Sequence, residues 1–160
     1  DINVITNTVL IRENLAELPE FIGLLAMLSV SEIHVWNYFP MGTERKEDRL
    51  VSMDEVCRLL PELQEIAQKS GKPLVLKSFP LCLPAKAPVY LDSVFPVTVL
   101  PDCFWTEFGK CGFGQCVHRE EGCCQSVECW GLSEPYLQKY GDERGLLRPL
   151  GGLSLQEFGK

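Results

Sequence analysis

The stretch Ile2-Asn3-Val4-Ile5-Thr6-Asn7-Thr8-Val9-Leu10-Ile11 decides the fold. It is rich in β-branched residues, which suit a pleated and packed surface, and it reads as a buried strand. The period changes after Ile11. Asn14 is a good N-cap, and Leu15, Leu18, Ile22, Leu25 and Leu28 recur at helical spacing, with Pro19 near the first turn where a missing N–H costs little. Glu32 to Phe39 returns to a mostly apolar, strand-like run through Ile33, Val35 and Trp36.

Further out, Pro40-Met41-Gly42 breaks the chain, and a polar loop runs to Val51. Ser52-Met53-Asp54-Glu55 then fits a capping box, and Val56, Leu59, Leu60, Leu63, Ile66 and Ala67 mark one helix face. Gly71 suits the C′ position of that helix, and Pro73 to Phe79 gives a third strand. Strand–helix–strand–helix–strand with short links demands parallel strands and right-handed crossovers. Three such strands cannot close a barrel, and open parallel sheets are covered on both faces. Residues 1–80 therefore read as a piece of a larger α/β sheet.

From Pro80 the composition changes. Prolines at 80, 84, 88, 96 and 101 exclude a long helix, so residues 81–100 read as a connector in which Val94 to Leu100 can form an edge strand. Residues 101–141 form a cysteine-rich segment that closes with a short helix, Ser133 to Tyr140, ended by Gly141. Residues 142–160 are a Gly- and Leu-rich tail.

Composition excludes some partners. With 15 basic against 22 acidic residues the net charge is −7, so the chain has no bulk field to gather phosphates, and a nucleic-acid partner is not expected. The longest apolar run, Phe21 to Val30, is too short to span a bilayer, so no membrane partner is expected either.

Six of the eight cysteines crowd into one stretch: Cys103, Cys111, Cys116, Cys123, Cys124 and Cys129. Cys57 reads as a small apolar filler on a helix, and Cys82, just past the third strand, is a minor ligand candidate. Three readings of the six compete. A disulfide framework would staple a loop-rich segment, although the adjacent Cys123 and Cys124 do not bridge each other without strain. A zinc site would draw on Cys111-x4-Cys116 and Cys124-x4-Cys129 as two loose pairs. An iron–sulfur cluster tolerates wider spacing, because each thiolate meets a different corner. Glycines beside the cysteines let the backbone wrap closely. His118 lies among them beside two acidic neighbours and reads as exposed rather than as a ligand.

Three stretches resemble one family. Val4-Ile5-Thr6-Asn7-Thr8-Val9-Leu10 followed by Asn14 resembles the fourth strand of radical S-adenosylmethionine (SAM) enzymes, nearest the molybdenum-cofactor cyclase branch. His34-Val35-Trp36-Asn37-Tyr38-Phe39-Pro40-Met41-Gly42 resembles the next strand of that branch. Cys129-Trp130-Gly131-Leu132, then Tyr136, Tyr140-Gly141, Glu143 and Pro149, resembles the close of a SPASM or twitch auxiliary cluster domain.

The resemblance implies an α/β fold: the C-terminal half of a partial (β/α) barrel, then a small cysteine-rich auxiliary iron–sulfur domain. It implies a parent enzyme that generates a 5′-deoxyadenosyl radical from SAM to modify a peptide or small-molecule substrate, with a 4Fe-4S auxiliary cluster held by the six clustered cysteines. The partner so implied is the missing N-terminal half of the barrel, and the expected location is cytoplasmic. Asn7, Asn37 and Phe39 are the implied contacts to SAM or substrate. The chain departs from the family in lacking the CxxxCxxC loop, so alone it is not expected to cleave SAM. A zinc-stabilised, non-catalytic binding module and an iron–sulfur electron-transfer subunit are the alternatives.

Overall fold

The computed structural model describes residues 2–41, 47–94, 101–121, 123 and 129–149. Four strands, β1 (Ile5–Leu10), β2 (Glu32–Asn37), β3 (Leu74–Lys77) and β4 (Val89–Asp92), form one sheet in the order β1-β2-β3-β4. Every neighbouring pair is parallel. The α/β class and the first three strands agree with the sequence reading, each strand being shorter than the apolar run that encodes it. The fourth strand is a correction. It lies at Val89–Asp92, inside the Pro-rich connector, whereas Val94 is outside any strand and residues 95–100 lie outside the described residues.

Helix α1 (Leu18–Met27) begins later than Asn14. Pro19 occupies its second position and lacks the N–H that an earlier start would need to bond. Asn14 instead holds a turn: its Oδ1 accepts the Ile11 N–H at 2.9 Å and its Nδ2 donates to the Val9 carbonyl at 2.9 Å. Helix α2 (Met53–Ser70) starts as the sequence predicts, with Ser52 and Glu55 closing a reciprocal capping box. Gly71 ends it at φ +68°, a conformation costly to any residue with a Cβ.

Side-chain alternation divides the sheet into two unlike faces. Leu10, Ile33, Val35, Leu74, Leu76 and Val89 point to one face and are buried with Ile22 and Leu25 of α1 and Leu60, Leu63 and Ala67 of α2 in one apolar core. Both helices thus cover the same face. The other carries Asn7, His34, Trp36, Lys77, Tyr90 and Asp92, and Tyr90 is exposed there.

β1 is at the sheet edge among the described strands, and Ile2, Val4, Ile5 and Val9 are exposed along it. An unpaired parallel edge flanked by apolar side chains is a template for further pairing. The isolated 160-residue chain should therefore self-associate with rising concentration in multi-angle light scattering; a monomer at every concentration contradicts an incomplete sheet.

The cysteine-rich segment is less loop-like than its glycines suggest. Helix α3 (Asp102–Gly109) opens it, and α4 (Glu134–Tyr140) closes it, capped by Ser133 and Gly141 in agreement with the sequence. Between them Gln115 and Leu132 form an antiparallel bridge. Gly131, at φ +62°, lets those backbones meet, since a Cβ there would lie 2.9 Å from the Gln115 carbonyl oxygen. Among the described residues no helix is long and apolar enough to cross a membrane.

Candidate functional site

The segment after each strand is where the cysteine-rich part docks. Beyond β2, the Phe39 ring packs edge-on against Phe108 at 5.4 Å and Phe113 at 5.0 Å, and the Cys111 thiol lies 3.8 Å from the Pro40 carbonyl. Past β3, the Cys82 carbonyl accepts the Arg148 N–H at 2.8 Å. Next to β4, the Ser93 carbonyl accepts the Trp130 indole N–H at 2.6 Å. The cysteine-rich part therefore caps the C-terminal ends of the parallel strands, where α/β folds place their sites.

A second set of bonds fixes its position. Tyr136 and Glu143, two of the residues that carry the family resemblance, meet the first turn of α2. The Glu143 carboxylate accepts the Met53 N–H at 3.0 Å and the Asp54 N–H at 3.1 Å, and the Tyr136 hydroxyl donates to that carboxylate while accepting from Met53. A carboxylate at a helix N-terminus satisfies orphan N–H groups and opposes the positive end of the dipole. Burial and the adjacent Glu143 carboxylate hold the Tyr136 phenol well above its usual range. The Tyr140 hydroxyl donates to the Leu50 carbonyl at 2.6 Å and accepts from Arg12 at 2.9 Å.

The structure gathers some of the cysteines and separates others. Cys82 is 6% exposed, with the Cys123 and Cys129 thiols as electrostatic neighbours. Burial first, then those neighbours, push the Cys82 thiol up to about 12. From sequence Cys82 is only a minor candidate, yet the fold sets it beside thiols of the cysteine-rich segment. Cys111 is buried against the Pro40 and Glu107 carbonyls, and Cys103 is exposed on α3. Cys116 is disulfide-bonded, and Cys124 lies outside the described residues. Cys57 is half-buried on α2 beside the core, in keeping with a filler.

His118 corrects an expectation. It is 3% exposed, with Nδ1 against Glu121 at 2.9 Å and Nε2 against the Leu147 carbonyl at 2.9 Å. Both ring nitrogens are occupied by protein partners, so it ties the segment to the tail.

Asn7 lies on the face opposite the helices, where its Oδ1 accepts the Trp36 indole N–H at 2.9 Å. The resemblance implies a similar outlook for Asn37. Alternation instead puts Asn37 on the helix-covered side, its amide donating to the Ser78 carbonyl at 3.3 Å.

Among the described residues no three His, Cys, Asp or Glu side chains converge at the spacing one metal ion demands. Cys82, Cys123 and Cys129 are neighbours without being ligands of a common point.

The thiol environments differ enough to be read chemically. With iodoacetamide at pH 8, exposed Cys103 should alkylate at least tenfold faster than Cys82 in the native chain, because the thiolate is the nucleophile and Cys82 is held protonated and buried. Peptide-resolved mass spectrometry measures both rates, and equal rates contradict the burial of Cys82.

Comparison of the chain with family models, with characterised proteins and with solved structures returned no match.

Proposed function

We propose that this chain is the C-terminal part of a radical SAM enzyme: half of a (β/α) barrel capped by an auxiliary 4Fe-4S domain, whose parent modifies a peptide or small-molecule substrate in the cytoplasm. The observation that carries the reading is the meeting of Cys82 with Cys123 and Cys129 at the C-terminal strand ends. Two features of the fold support it. The strand order never reverses, and both α1 and α2 lie on one face. A doubly wound sheet reverses its order and carries helices on both faces, whereas an arc of a barrel does neither.

In this reading Cys82, Cys123 and Cys129 supply three thiolates of the auxiliary cluster, and reduced Cys116 or Cys124 the fourth. Bound there, the cluster would anchor substrate or relay electrons. The chain's own residues do the rest. Phe39, Phe108 and Trp130 shield the thiols from water, Tyr136 and Glu143 hold the segment on α2, and Asn7 presents an amide on the face that SAM and substrate would share. Cleavage of SAM needs the CxxxCxxC loop, which in this account the missing N-terminal half of the barrel brings.

One observation favours a second reading. The Cys116 disulfide is what a disulfide-stapled, non-catalytic binding module would show. A single preparation separates the two. After reduction and anaerobic reconstitution with iron and sulfide, the chain should turn brown, with broad absorption at roughly 400 nm and close to four irons per chain, as thiolate-ligated clusters give. A colourless product that binds no iron instead supports the module.

A further inference from the structure

Eight of the ten large apolar side chains exposed among the described residues lie on one flank of the molecule. Four belong to β1 and the residues leading into it, and the other four, Phe21, Leu24, Met27 and Leu28, to α1 and its C-cap. Scattered singly, such side chains need no explanation; gathered on one flank, they mark an interaction surface.

The two helices of the same layer differ in what they show to solvent. α2 exposes Arg58, Glu62, Glu65, Gln68 and Lys69, with Arg58 paired to Asp54 and Lys69 to Glu65. α1 packs on α2 and buries Leu18, Ile22 and Leu25. Its remaining side repeats Phe21, Leu24 and Leu28 at helical spacing, and Leu24 is 50% and Met27 77% exposed. A helix apolar all round is one that a larger structure buries. α1 crosses from β1, the edge strand among those described, to β2, so its exposed face and that edge share a flank. A parallel strand added to β1 lies about 4.8 Å away, and a helix over it about 10 Å from α1, a packing distance for two helices. One strand and one helix therefore cover the flank together.

The flank also has an acidic end. Glu17 and Glu20 are exposed at the start of α1 and have no ion pair among the described residues. Glu13 is neutralised by Arg49, and Lys72, at the far end of α1, donates to the Ala26 and Leu28 carbonyls.

We propose that the outer face of α1, with the β1 edge beside it, is a docking surface for a strand–helix unit whose helix carries an apolar stripe flanked by basic side chains. The stripe packs on Phe21, Leu24 and Leu28, and the basic residues meet Glu17 and Glu20. The proposal rests on reading the sheet as an incomplete barrel, and it adds the chemistry of the partner to that reading.

The test immobilises the chain at low density, so that copies do not pair, and measures binding of two amphipathic peptides by surface plasmon resonance. Both are about 16 residues long, long enough for partial helix, with leucines at i, i+3, i+4 and i+7; one carries Lys at the remaining polar positions and the other Glu. The basic peptide should bind saturably, and the acidic one more weakly. Leu24→Gln with Leu28→Gln, at exposed positions, should weaken the basic peptide about tenfold, whereas Tyr90→Gln on the far edge should leave it unchanged. Glu17→Gln with Glu20→Gln should narrow the preference between the peptides about threefold. No saturable binding to the wild-type chain, binding indifferent to Leu24 and Leu28, or an undiminished preference without Glu17 and Glu20 overturns the proposal. So does a chain that binds neither peptide but loses its self-association in the Leu24, Leu28 variant, since a second copy is then the occupant. Iron enters neither measurement, and an incomplete sheet is judged by light scattering, so failure here is separable from failure of either reading.

Discussion

Cys82→Ala should cut the iron retained after anaerobic reconstitution from about four per chain to well under one, and Cys103→Ala should leave it unchanged. The contrast arises from position. Cys82 is buried with Cys123 and Cys129 as electrostatic neighbours, whereas Cys103 faces solvent on α3. A cluster that loses one protein thiolate is held less tightly. Cys123→Ala and Cys129→Ala should behave as Cys82→Ala does. Iron content by inductively coupled plasma mass spectrometry, referred to chain concentration, measures the effect. Full iron in the Cys82 variant removes that residue from the site.

Tyr136→Ala should destabilise the reduced, iron-free chain by about 3–5 kcal/mol, the range for deleting a large buried aromatic side chain. Tyr136 is 2% exposed, and its loss leaves a cavity beside the Tyr140 ring together with the unmaking of its bonds to Met53 and Glu143. Tyr136→Phe should cost only about 1–2 kcal/mol, because the Met53 N–H keeps the Glu143 carboxylate at 3.0 Å. Urea denaturation monitored by circular dichroism gives both values. The pH dependence has a fixed sign. The phenol is raised in the folded state, so its stabilising share is whole below the unfolded value near 10 and is lost as pH rises beyond it. Tyr136→Phe should flatten that alkaline loss. A wild-type chain whose stability does not fall above pH 10 contradicts the buried-phenol account.

The βαβαβ half of the fold is legible in the sequence because local and long-range signals agree there. The Ser52–Glu55 box, the Gly71 stop and the helical spacing of Val56, Leu60 and Leu63 all point to one helix, and burial matches that spacing. β4 is not legible, since its four residues come after Pro88 in a Pro-rich run and are strand only because β3 pairs with them. Helix α3 hides among glycines and cysteines whose composition reads as loop. The site fares likewise. Cys82 is made important by Cys123 and Cys129, and His118 is buried by Glu121 and the Leu147 carbonyl. Contacts between residues so distant in sequence leave no periodic trace. The resemblance motif gains a physical meaning: Tyr136 and Glu143 serve as a clamp on the first turn of α2.

The central claim is that the thiols at the strand ends hold an iron–sulfur cluster. Mössbauer spectroscopy of the chain reconstituted with ⁵⁷Fe and sulfide under reducing, anaerobic conditions tests it most directly. The account predicts that most of the iron gives the quadrupole doublets of a 4Fe-4S cluster, and that Cys82→Ala abolishes them. Iron present only as mononuclear high-spin ferrous ion, or no bound iron beside stoichiometric zinc, would contradict it.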